Sequence, residues 1–353
     1  MKKLVLIITL LLAVGLLTGC SDNDTAAADD NVTRVALVTG TGGRGDESFN
    51  DMAIAGLELA KERYGDAFDW NYATPPSVAD FEANIELFAN AGSYDLIIVT
   101  SFQAQAAMYS VAERFPDQQF SIVDTSVHMP NVRSIVKDFA EMTFLGGYLA
   151  GLLTSETSMA GINEDLLVGI IIGSDSPPMQ NAARGFTAGA MLANPDVEAR
   201  IGIVGSFGDP ALGREIALSL FGEGADVLMS FAGGSGAGVT LAAQELDLYA
   251  VAGAFPRTAD APNNIPASVG EHLTNQLLLE VQTLMNGTWE AGIFMGTLAN
   301  DYLGISFDGS NVVLPAGIVE RVEEARQRVV SGELSIPGTL DEIPAWAAAN
   351  SRN

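Results

Sequence analysis

The chain has 353 residues, a length that exceeds one typical domain and suits two. Its 17 basic and 44 acidic residues give a formal net charge of −27, which argues against nucleic acid as a partner because the phosphates would be repelled. The same acidity fits a saline habitat, and a generally solubilising surface explains it equally well. Lysine is rare, so a lone lysine near a ligand would be informative; the lysines are Lys2, Lys3, Lys61 and Lys137.

The N-terminus has the features of an export signal. Residues 1–19 combine a basic start with an apolar run that is too short to span a membrane comfortably. Leu17-Thr18-Gly19-Cys20 matches the bacterial lipobox, and an ordinary signal peptide with an incidental cysteine is the alternative. We therefore expect an exported protein, anchored by lipid on Cys20 to the extracytoplasmic face of a bacterial cell membrane, with residues 20–32 as a tether. Cys20 is the only cysteine of the sequence, which excludes an internal disulfide and a cysteine-ligated zinc cluster.

Apolar runs of strand length alternate with helical patterns along the rest of the chain. The predicted strands are residues 35–39, 68–72, 94–100, 120–124, 132–136, 167–172, 199–204, 226–230 and 248–252. The predicted helices are residues 52–64, one starting near 78, 104–115, 139–153, 180–192, 211–222, 239–244, 273–285 and 317–331. This alternation predicts an α/β fold with parallel sheets, arranged as two doubly wound lobes with a crevice between them.

The first strand leads into a glycine-rich loop and then into Asp46, Ser48, Phe49 and Asn50. A strand, a loop and a helix N-terminus in this order present backbone N–H groups to a small ligand. Gly40–Gly45 fits the dinucleotide pattern G-x-G-x-x-G, but the next strand ends without an acidic residue for a ribose hydroxyl. Because the export signal also separates the domain from cytoplasmic nicotinamide cofactors, a glycine-rich turn of another kind is the better interpretation.

Two side chains after this loop suit ligand binding. Phe49 can stack on a planar ring, and Asn50 can both donate and accept hydrogen bonds. The structural alternative is that Phe49 packs against the start of the helix and Asn50 caps it. Asp124 ends another predicted strand at the same sheet edge, where it either meets a ligand or caps the next loop.

Residues for catalysis or metal binding are sparse. His128 and His272 are the only histidines, and neither has the spacing typical of a metal ligand or of a general base. An acid/base pair of Asp46 with Asp124 is a weak signal in a chain so rich in carboxylates. The sequence therefore predicts a binding protein and not an enzyme, without cofactor or metal.

The first loop contains the run GGRGDESFND. It is similar to the signature G-G-x-x-D-x-S-F-N, and the similarity continues, in order, through residues 94–99, 112–124, 143–150, 185–189, 204–217 and 224–239. In these motifs the chain resembles the basic membrane protein (Bmp, PnrA-like) family of substrate-binding lipoproteins of ABC transporters, which includes the purine nucleoside receptor.

The resemblance implies a type I periplasmic-binding-protein fold, with two lobes that are joined by three crossings and close on the ligand as a hinge. The crossings are expected near Lys137, Gly253 and Val269. On this basis the N-terminal lobe comprises residues 33–137 and 254–270, and the C-terminal lobe residues 138–253 and 271–353. The expected partners are a small nucleoside-like ligand and the ABC permease and ATPase subunits, with the chain itself a monomer.

For nucleoside-binding members, the resemblance implies a base held between aromatic rings and by an Asn or Asp of the first lobe. The positions carried over as ligand-binding are Asp46, Ser48, Phe49, Asn50, Phe102, Asp124, Phe207, Asp209, Gly233, Gly234, Arg257 and Glu271.

Departures from the family pattern affect the ligand. Arg257 stands where the family has a ribose-binding acid, and Glu271 stands where it has a lysine. Either the two form a reversed pair that still holds a ribose, or Arg257 marks a different ligand, since arginine suits a carboxylate, a phosphate or a ring carbonyl. The helix near residue 182 also lacks an aromatic residue that members often carry; Phe231, Phe255 or Phe102 are candidates to replace it.

The sequence thus favours capture of a purine nucleoside or a related heterocycle for an ABC importer. A lipid-anchored sensor and an importer component for a non-nucleoside ligand such as a flavin are the alternatives. A hydrolase on the same scaffold is least favoured, because no suitable base or nucleophile is evident.

Overall fold

A computed structural model describes residues 32–351, apart from residues 47 and 256. The predicted signal peptide, Cys20 and nearly all of the predicted tether lie outside the described residues. The β-strands are β1 Thr33–Val38, β2 Phe68–Ala73, β3 Leu96–Val99, β4 Gln119–Val123, β5 Val132–Lys137, β6 Leu167–Ile172, β7 Glu198–Ile203, β8 Val227–Phe231, β9 Tyr249–Ala252, β10 Ser268–Glu271, β11 Gly292–Gly296 and β12 Leu303–Ser306. The α-helices are α1 Phe49–Tyr64, α2 Phe81–Ala91, α3 Gln105–Arg114, α4 Phe139–Thr154, α5 Pro177–Ala193, α6 Pro210–Gly222, α7 Gly236–Leu246, α8 Leu273–Met285, α9 Ile318–Val330 and α10 Ile343–Asn350.

The strands form two six-stranded sheets. The first has the order β11-β5-β4-β3-β1-β2, and all its neighbours pair in parallel. The second has the order β12-β10-β9-β8-β6-β7 and is parallel except for β12, which runs antiparallel to β10 at the edge. Central strands such as β3 are buried at every residue, because helices cover both faces of a parallel sheet. The predicted α/β fold with two parallel-sheet lobes is confirmed.

Helices α4 and α5 pack at unusually short range in the second lobe. A side chain at Gly147 or Gly151 of α4 would overlap the backbone of α5, and one at Gly185 or Gly189 would overlap the backbone of α4. Only glycine lets the two helix backbones come this close, so these four positions fix the helix pair beneath the second sheet. No helix among the described residues is long and apolar enough to cross a membrane.

The chain passes between the lobes at three places. It leaves the first sheet at the end of β5 and enters α4, which packs on β8 and β10 of the second lobe. It returns after β10, because α8 packs against α1 and β11 pairs with β5. The third crossing joins β11 to β12.

These crossings change the boundaries that the resemblance implied. Residues 268–270 were expected in the N-terminal lobe, but as part of β10 they pair with β9 and β12 of the second sheet. Residues 273–296 were expected in the C-terminal lobe, but α8 and β11 belong to the first. The reason is that β11 pairs with a strand more than 150 residues earlier, and no local pattern reveals such a partner. The expected crossings near Lys137 and Val269 agree with the ends of β5 and β10. Gly253 is not a crossing point, because β9 and β10 on either side of it belong to the second sheet.

Candidate ligand-binding cleft

A cleft with an empty volume of about 750 Å³, part of it open to solvent, lies between the two lobes. Residues that follow β1, β3 and β4 line it from the first lobe, and residues that follow β8 and β9 line it from the second. Carboxyl ends of parallel strands commonly hold ligands, because the loops that follow them converge at one edge. The lobes approach each other across the cleft, where the rings of Phe102 and Phe207 meet edge to face with centroids 6.4 Å apart.

The loop before α1 is held by Asp46. Oδ1 of Asp46 accepts the backbone N–H groups of Ser48 and Asp51, at 3.0 and 3.2 Å. Oδ2 accepts the backbone N–H and the side-chain amide of Asn50, at 3.0 and 2.9 Å. The side-chain oxygen Oδ1 of Asn50 in turn accepts the Gly40 N–H at 2.8 Å. The carboxylate therefore occupies the anion position at the α1 N-terminus, and Asp46 and Asn50 both serve to fix the loop.

Apolar and aromatic side chains form much of the wall. Phe207 is fixed against Gly173, where any side chain would overlap its ring. Together these faces offer a flat, apolar slot of the kind that takes a planar heterocycle. The wall residues of this type are Phe49, Met52, Phe102, Phe139, Met142, Met179, Phe207 and Phe231.

The polar end of the cleft is a buried charge cluster, which we call the Lys137 triad: Asp124, Lys137 and Glu271. Nζ of Lys137 lies 2.8 Å from Oδ1 of Asp124 and 2.7 Å from Oε1 of Glu271. The three side chains are 9%, 2% and 1% exposed, respectively. The ammonium also lies 4.9 Å from the ring centroids of both Phe49 and Phe139, which places it between two aromatic faces.

The triad spans the hinge. Lys137 is the last residue of β5 at the first crossing, and Glu271 is the last residue of β10 at the second. Asp124 follows β4 with φ of 72°, a left-handed conformation that is uncommon for residues other than glycine.

Burial governs the protonation of the triad. Burial raises the pKa of Asp124 to about 6, with Lys137 lowering it and the Glu271 charge adding to the increase. Burial alone would lower the pKa of Lys137, but the two carboxylates outweigh it and the pKa is raised. Asp124 therefore carries its negative charge beside the Lys137 ammonium mainly above a pH of about 6.

Some polar atoms of the cleft wall are left without a hydrogen-bond partner, and one of them, Oδ1 of Asp124, lies 2.8 Å from the Lys137 ammonium. Oε2 of Glu271 and Oγ1 of Thr100 are buried and have no hydrogen-bond partner in the described part of the chain. Burying a polar atom without a hydrogen bond costs free energy, and at a ligand cleft the missing partner is supplied by the ligand or by water.

The structure brings most of the sequence-predicted site residues together. Those that line the cleft are Asp46, Ser48, Phe49, Asn50, Phe102, Asp124, Phe207, Gly233 and Glu271. Asp209, Gly234 and Arg257 are not among the lining residues. Asp209 instead caps α6 by accepting the Leu212 N–H at 3.0 Å, as its place before Pro210 also predicted. Gly234 lies beside Asp46 of the other lobe.

The reversed pair of Arg257 with Glu271, one of the two alternatives that the sequence left open, is not formed in the structure. Nε of Arg257 lies 2.6 Å from Oδ2 of Asp260, whereas Glu271 pairs with Lys137. Sequence reasoning missed Lys137 as a site residue, although its rarity among lysines and its position at a strand end were visible. Of the three candidate replacement rings, Phe102 and Phe231 line the cleft, while Phe255 stacks on His272 with centroids 4.8 Å apart.

The described residues contain no cluster of three or more His, Cys, Asp or Glu side chains that could hold a metal ion.

Known proteins resemble this chain in sequence and in fold. A family described as "ABC transporter substrate-binding protein PnrA-like" matches residues 33–339. The ABC transporter nucleoside-binding protein BmpA of Lactococcus lactis is 30% identical, over 70% of each chain. An uncharacterized lipoprotein of Pyrococcus abyssi is 28% identical, over 86% of this chain and 77% of the relative. A solved solute-binding protein of an ABC transporter system from Aeropyrum pernix K1 has 26% identity and a TM-score of 0.79, covering 90% of this chain and 98% of its own.

Proposed function

Because the chain belongs to the PnrA-like family of ABC transporter substrate-binding proteins, we propose that it captures a purine nucleoside or a related heterocycle in the interlobe cleft. The observation that carries the proposal is the combination of an aromatic slot with a buried carboxylate cluster at one end. A nucleoside has two parts that match this cleft: a planar base for the aromatic slot, and a sugar whose hydroxyl groups can donate to the carboxylates.

The aromatic part of the cleft suits the base. Phe102 and Phe207 come from different lobes, so a ring between or beside them is held only when the lobes are closed. Stacking on aromatic side chains contributes about 0.5–1.5 kcal/mol beyond area burial for each favourable pair. Ligand capture and lobe closure are thereby coupled, because a single planar group satisfies both walls.

The polar part suits hydroxyl groups. Carboxylates accept hydrogen bonds only, and Glu271 retains one oxygen without a partner in the described part of the chain. Hydrogen bonds to charged acceptors are stronger than neutral ones, which makes this end the source of affinity for a sugar.

The family assigns the chain a binding role within an ABC transporter, which implies a permease and an ATPase as partners. We further propose that it acts as a monomer and that lipid on Cys20 holds it at the extracytoplasmic side of the membrane. The lipoprotein name of the Pyrococcus abyssi relative supports this localisation.

The test is calorimetric titration of the exported protein with inosine, guanosine, adenosine, the free bases and riboflavin. We expect saturable one-to-one binding of at least one nucleoside, and weaker binding of its free base because the sugar contacts are lost. Phe102→Ala should weaken that binding about 10-fold or more, since one stacking face disappears.

Phe115→Ala is the matched control, because Phe115 is a half-buried phenylalanine of the same lobe that packs in a different cluster, away from the cleft. Its ligand affinity should stay within about 2-fold of the parent protein. Binding of riboflavin without any nucleoside would contradict the nucleoside assignment and favour the flavin alternative. A failure of every heterocycle to bind would refute the proposal.

A further inference from the structure

The charges that line the cleft are unbalanced. In the described part of the chain, its lining contains the carboxylates of Asp46, Asp124 and Glu271, and Lys137 is its only cationic side chain. Arg257, which the sequence offered as a partner for an anionic ligand, is absent from that lining and pairs with Asp260.

The one ammonium is already engaged. Nζ of Lys137 lies within 2.8 Å of both Asp124 and Glu271, and its remaining surface faces the rings of Phe49 and Phe139. A lysine has three donors on one nitrogen, so two carboxylates and two ring faces leave little of its charge for an additional anion.

The other common anion site is also filled. The first N–H groups of α1 have no partner within the helix and point into the glycine-rich loop. In a dinucleotide-binding protein, a phosphate of the ligand would bind there. Here the Asp46 carboxylate accepts the N–H groups of Ser48, Asn50 and Asp51. The protein thus supplies its own anion at the position where a ligand phosphate would lie.

The unpartnered oxygen indicates what is accepted. Oε2 of Glu271 is buried and lacks a hydrogen-bond partner among the described residues. A hydroxyl or an amino group of a ligand satisfies it, whereas a phosphate or carboxylate oxygen would meet it with like charge.

We propose that Glu271 is a charge-selecting residue of the cleft, which admits ligands with an uncharged donor group at the Lys137 triad and rejects anionic analogues. This rests on the proposed function and narrows its ligand class to non-phosphorylated, non-acidic compounds.

The experiment compares three related probes on the exported protein by calorimetry at pH 8 and fixed ionic strength. Inosine is neutral, inosine 5′-monophosphate carries an anion on the sugar, and xanthosine carries one on the base at this pH. We expect both anions to bind about 100-fold or more weakly than inosine, because like charges brought together in a desolvated site cost several factors of ten. Comparable affinity of either anion and inosine overturns the proposal and leaves the proposed function standing. Failure of inosine and of every other neutral nucleoside refutes the proposed function itself.

Glu271→Gln separates charge selection from general packing. The amide keeps the shape and removes the negative charge, so we expect discrimination against the phosphate to fall about 10-fold or more while inosine still binds. Glu113→Gln, on the exposed face of α3, changes the net charge equally. It should leave the ratio of the affinities for inosine and inosine 5′-monophosphate unaltered. An unchanged ratio in a folded Glu271→Gln protein overturns the assignment to Glu271. If that variant does not fold, the comparison of the three probes on the parent protein still decides whether anions are rejected.

Discussion

At the scale of single residues, Lys137 joins the two lobes through charge. Its ammonium contacts a carboxylate that follows β4 of the first sheet and another at the end of β10 of the second. Taking charges out of water is costly, and their mutual attraction repays the cost only while all partners are present. Removal of the ammonium would therefore leave two buried carboxylates facing each other at the hinge.

Lys137→Met should lower the free energy of unfolding by about 3–5 kcal/mol, because methionine fills the space and leaves both carboxylates uncompensated. Denaturant unfolding measures this loss. The double variant Lys137→Met, Glu271→Gln should recover part of the lost free energy of unfolding, since only one uncompensated carboxylate then remains. Lys61→Met is the control; Lys61 donates one hydrogen bond to the Phe68 carbonyl, and its loss should cost about 1 kcal/mol. Equal losses for both lysines would contradict the role of the triad.

Asp226 is a second buried carboxylate with an altered protonation. It is fully buried before β8, and one oxygen accepts the Asn163 N–H at 3.2 Å. Burial raises the pKa of Asp226 from 3.8 to about 6. The folded state therefore holds a proton more tightly than the unfolded state. This group contributes stability fully below pH about 4, and the contribution is lost as the pH rises through about 6.

Asp226→Asn should remove this dependence. A shift of this size corresponds to about 3 kcal/mol, so the variant should gain stability relative to the parent by up to that amount between pH 4 and pH 7.5. Urea unfolding at both pH values gives the free energy of unfolding of the parent and of the variant. The difference between the two proteins cancels the contributions of all other titratable groups. A constant difference across that range would show that Asp226 titrates normally.

At the scale of elements, the approach of α4 to α5 depends on the absence of side chains. The four glycines lie where the two backbones touch, and the overlap that a Cβ would create involves carbonyl oxygens that cannot rotate away. Since α4 also packs on β8 and β10, a shift of this helix would move the floor of the second lobe.

Gly147→Ala should destabilise the protein by about 2 kcal/mol or more, because a Cβ at this position overlaps the Phe186 carbonyl. Gly222→Ala provides the matched control at another helical glycine, where no atom lies within 4 Å of the added Cβ. There the substitution should stabilise by about 0.5–1 kcal/mol, because alanine loses less chain entropy on folding. Thermal unfolding of the two variants compares them directly, and the same sign for both would contradict the close-packing argument.

At the scale of the whole molecule, the charge opposes compactness. The formal charge of −27 becomes −27 − 2 = −29 if residues 1–19 are removed with Lys2 and Lys3. Most ion pairs on the surface, such as that of Arg114 with Glu82, are substantially exposed and contribute little. Repulsion among the surface carboxylates therefore lowers the stability of the folded state by more than the surface ion pairs raise it.

Added salt should raise the melting temperature of the exported protein. The Debye length falls from about 30 Å at 0.01 M to about 3 Å at 1 M, so repulsion between surface carboxylates is screened while the buried Lys137 triad is affected little. A scan at 0.01, 0.15 and 1 M sodium chloride measures the effect, with most of the increase expected by 0.15 M. A melting temperature that falls with salt would show that surface ion pairs dominate.

Local patterns sufficed for much of the fold. The buried run of β3 and the amphipathic helices are specified by residues within one element, so their positions follow from periodicity alone. The same holds for the N-cap at Asp209 and for the placement of Phe49, Phe102 and Phe207 at sheet edges. The strands β10, β11 and β12 and the helix α10 were missed. Their sequences are short, and all but β10 are partly exposed, so that they gain strand or helix structure from tertiary partners.

The sequence by itself determined the α/β class, the family, and the chemistry of the candidate site as aromatic and acidic. Only the tertiary structure decided which lobe holds α8, β10 and β11, and which cation meets Glu271. The positions of α8 and β11 and the Lys137–Glu271 ion pair depend on contacts between residues more than 100 positions apart, which local periodicity does not reveal. Arg257 and Lys137 are equally plausible partners in the linear chain. The end of β5 beside the end of β10 makes Lys137 the partner, and with it leaves the cleft without a free cation among the described residues.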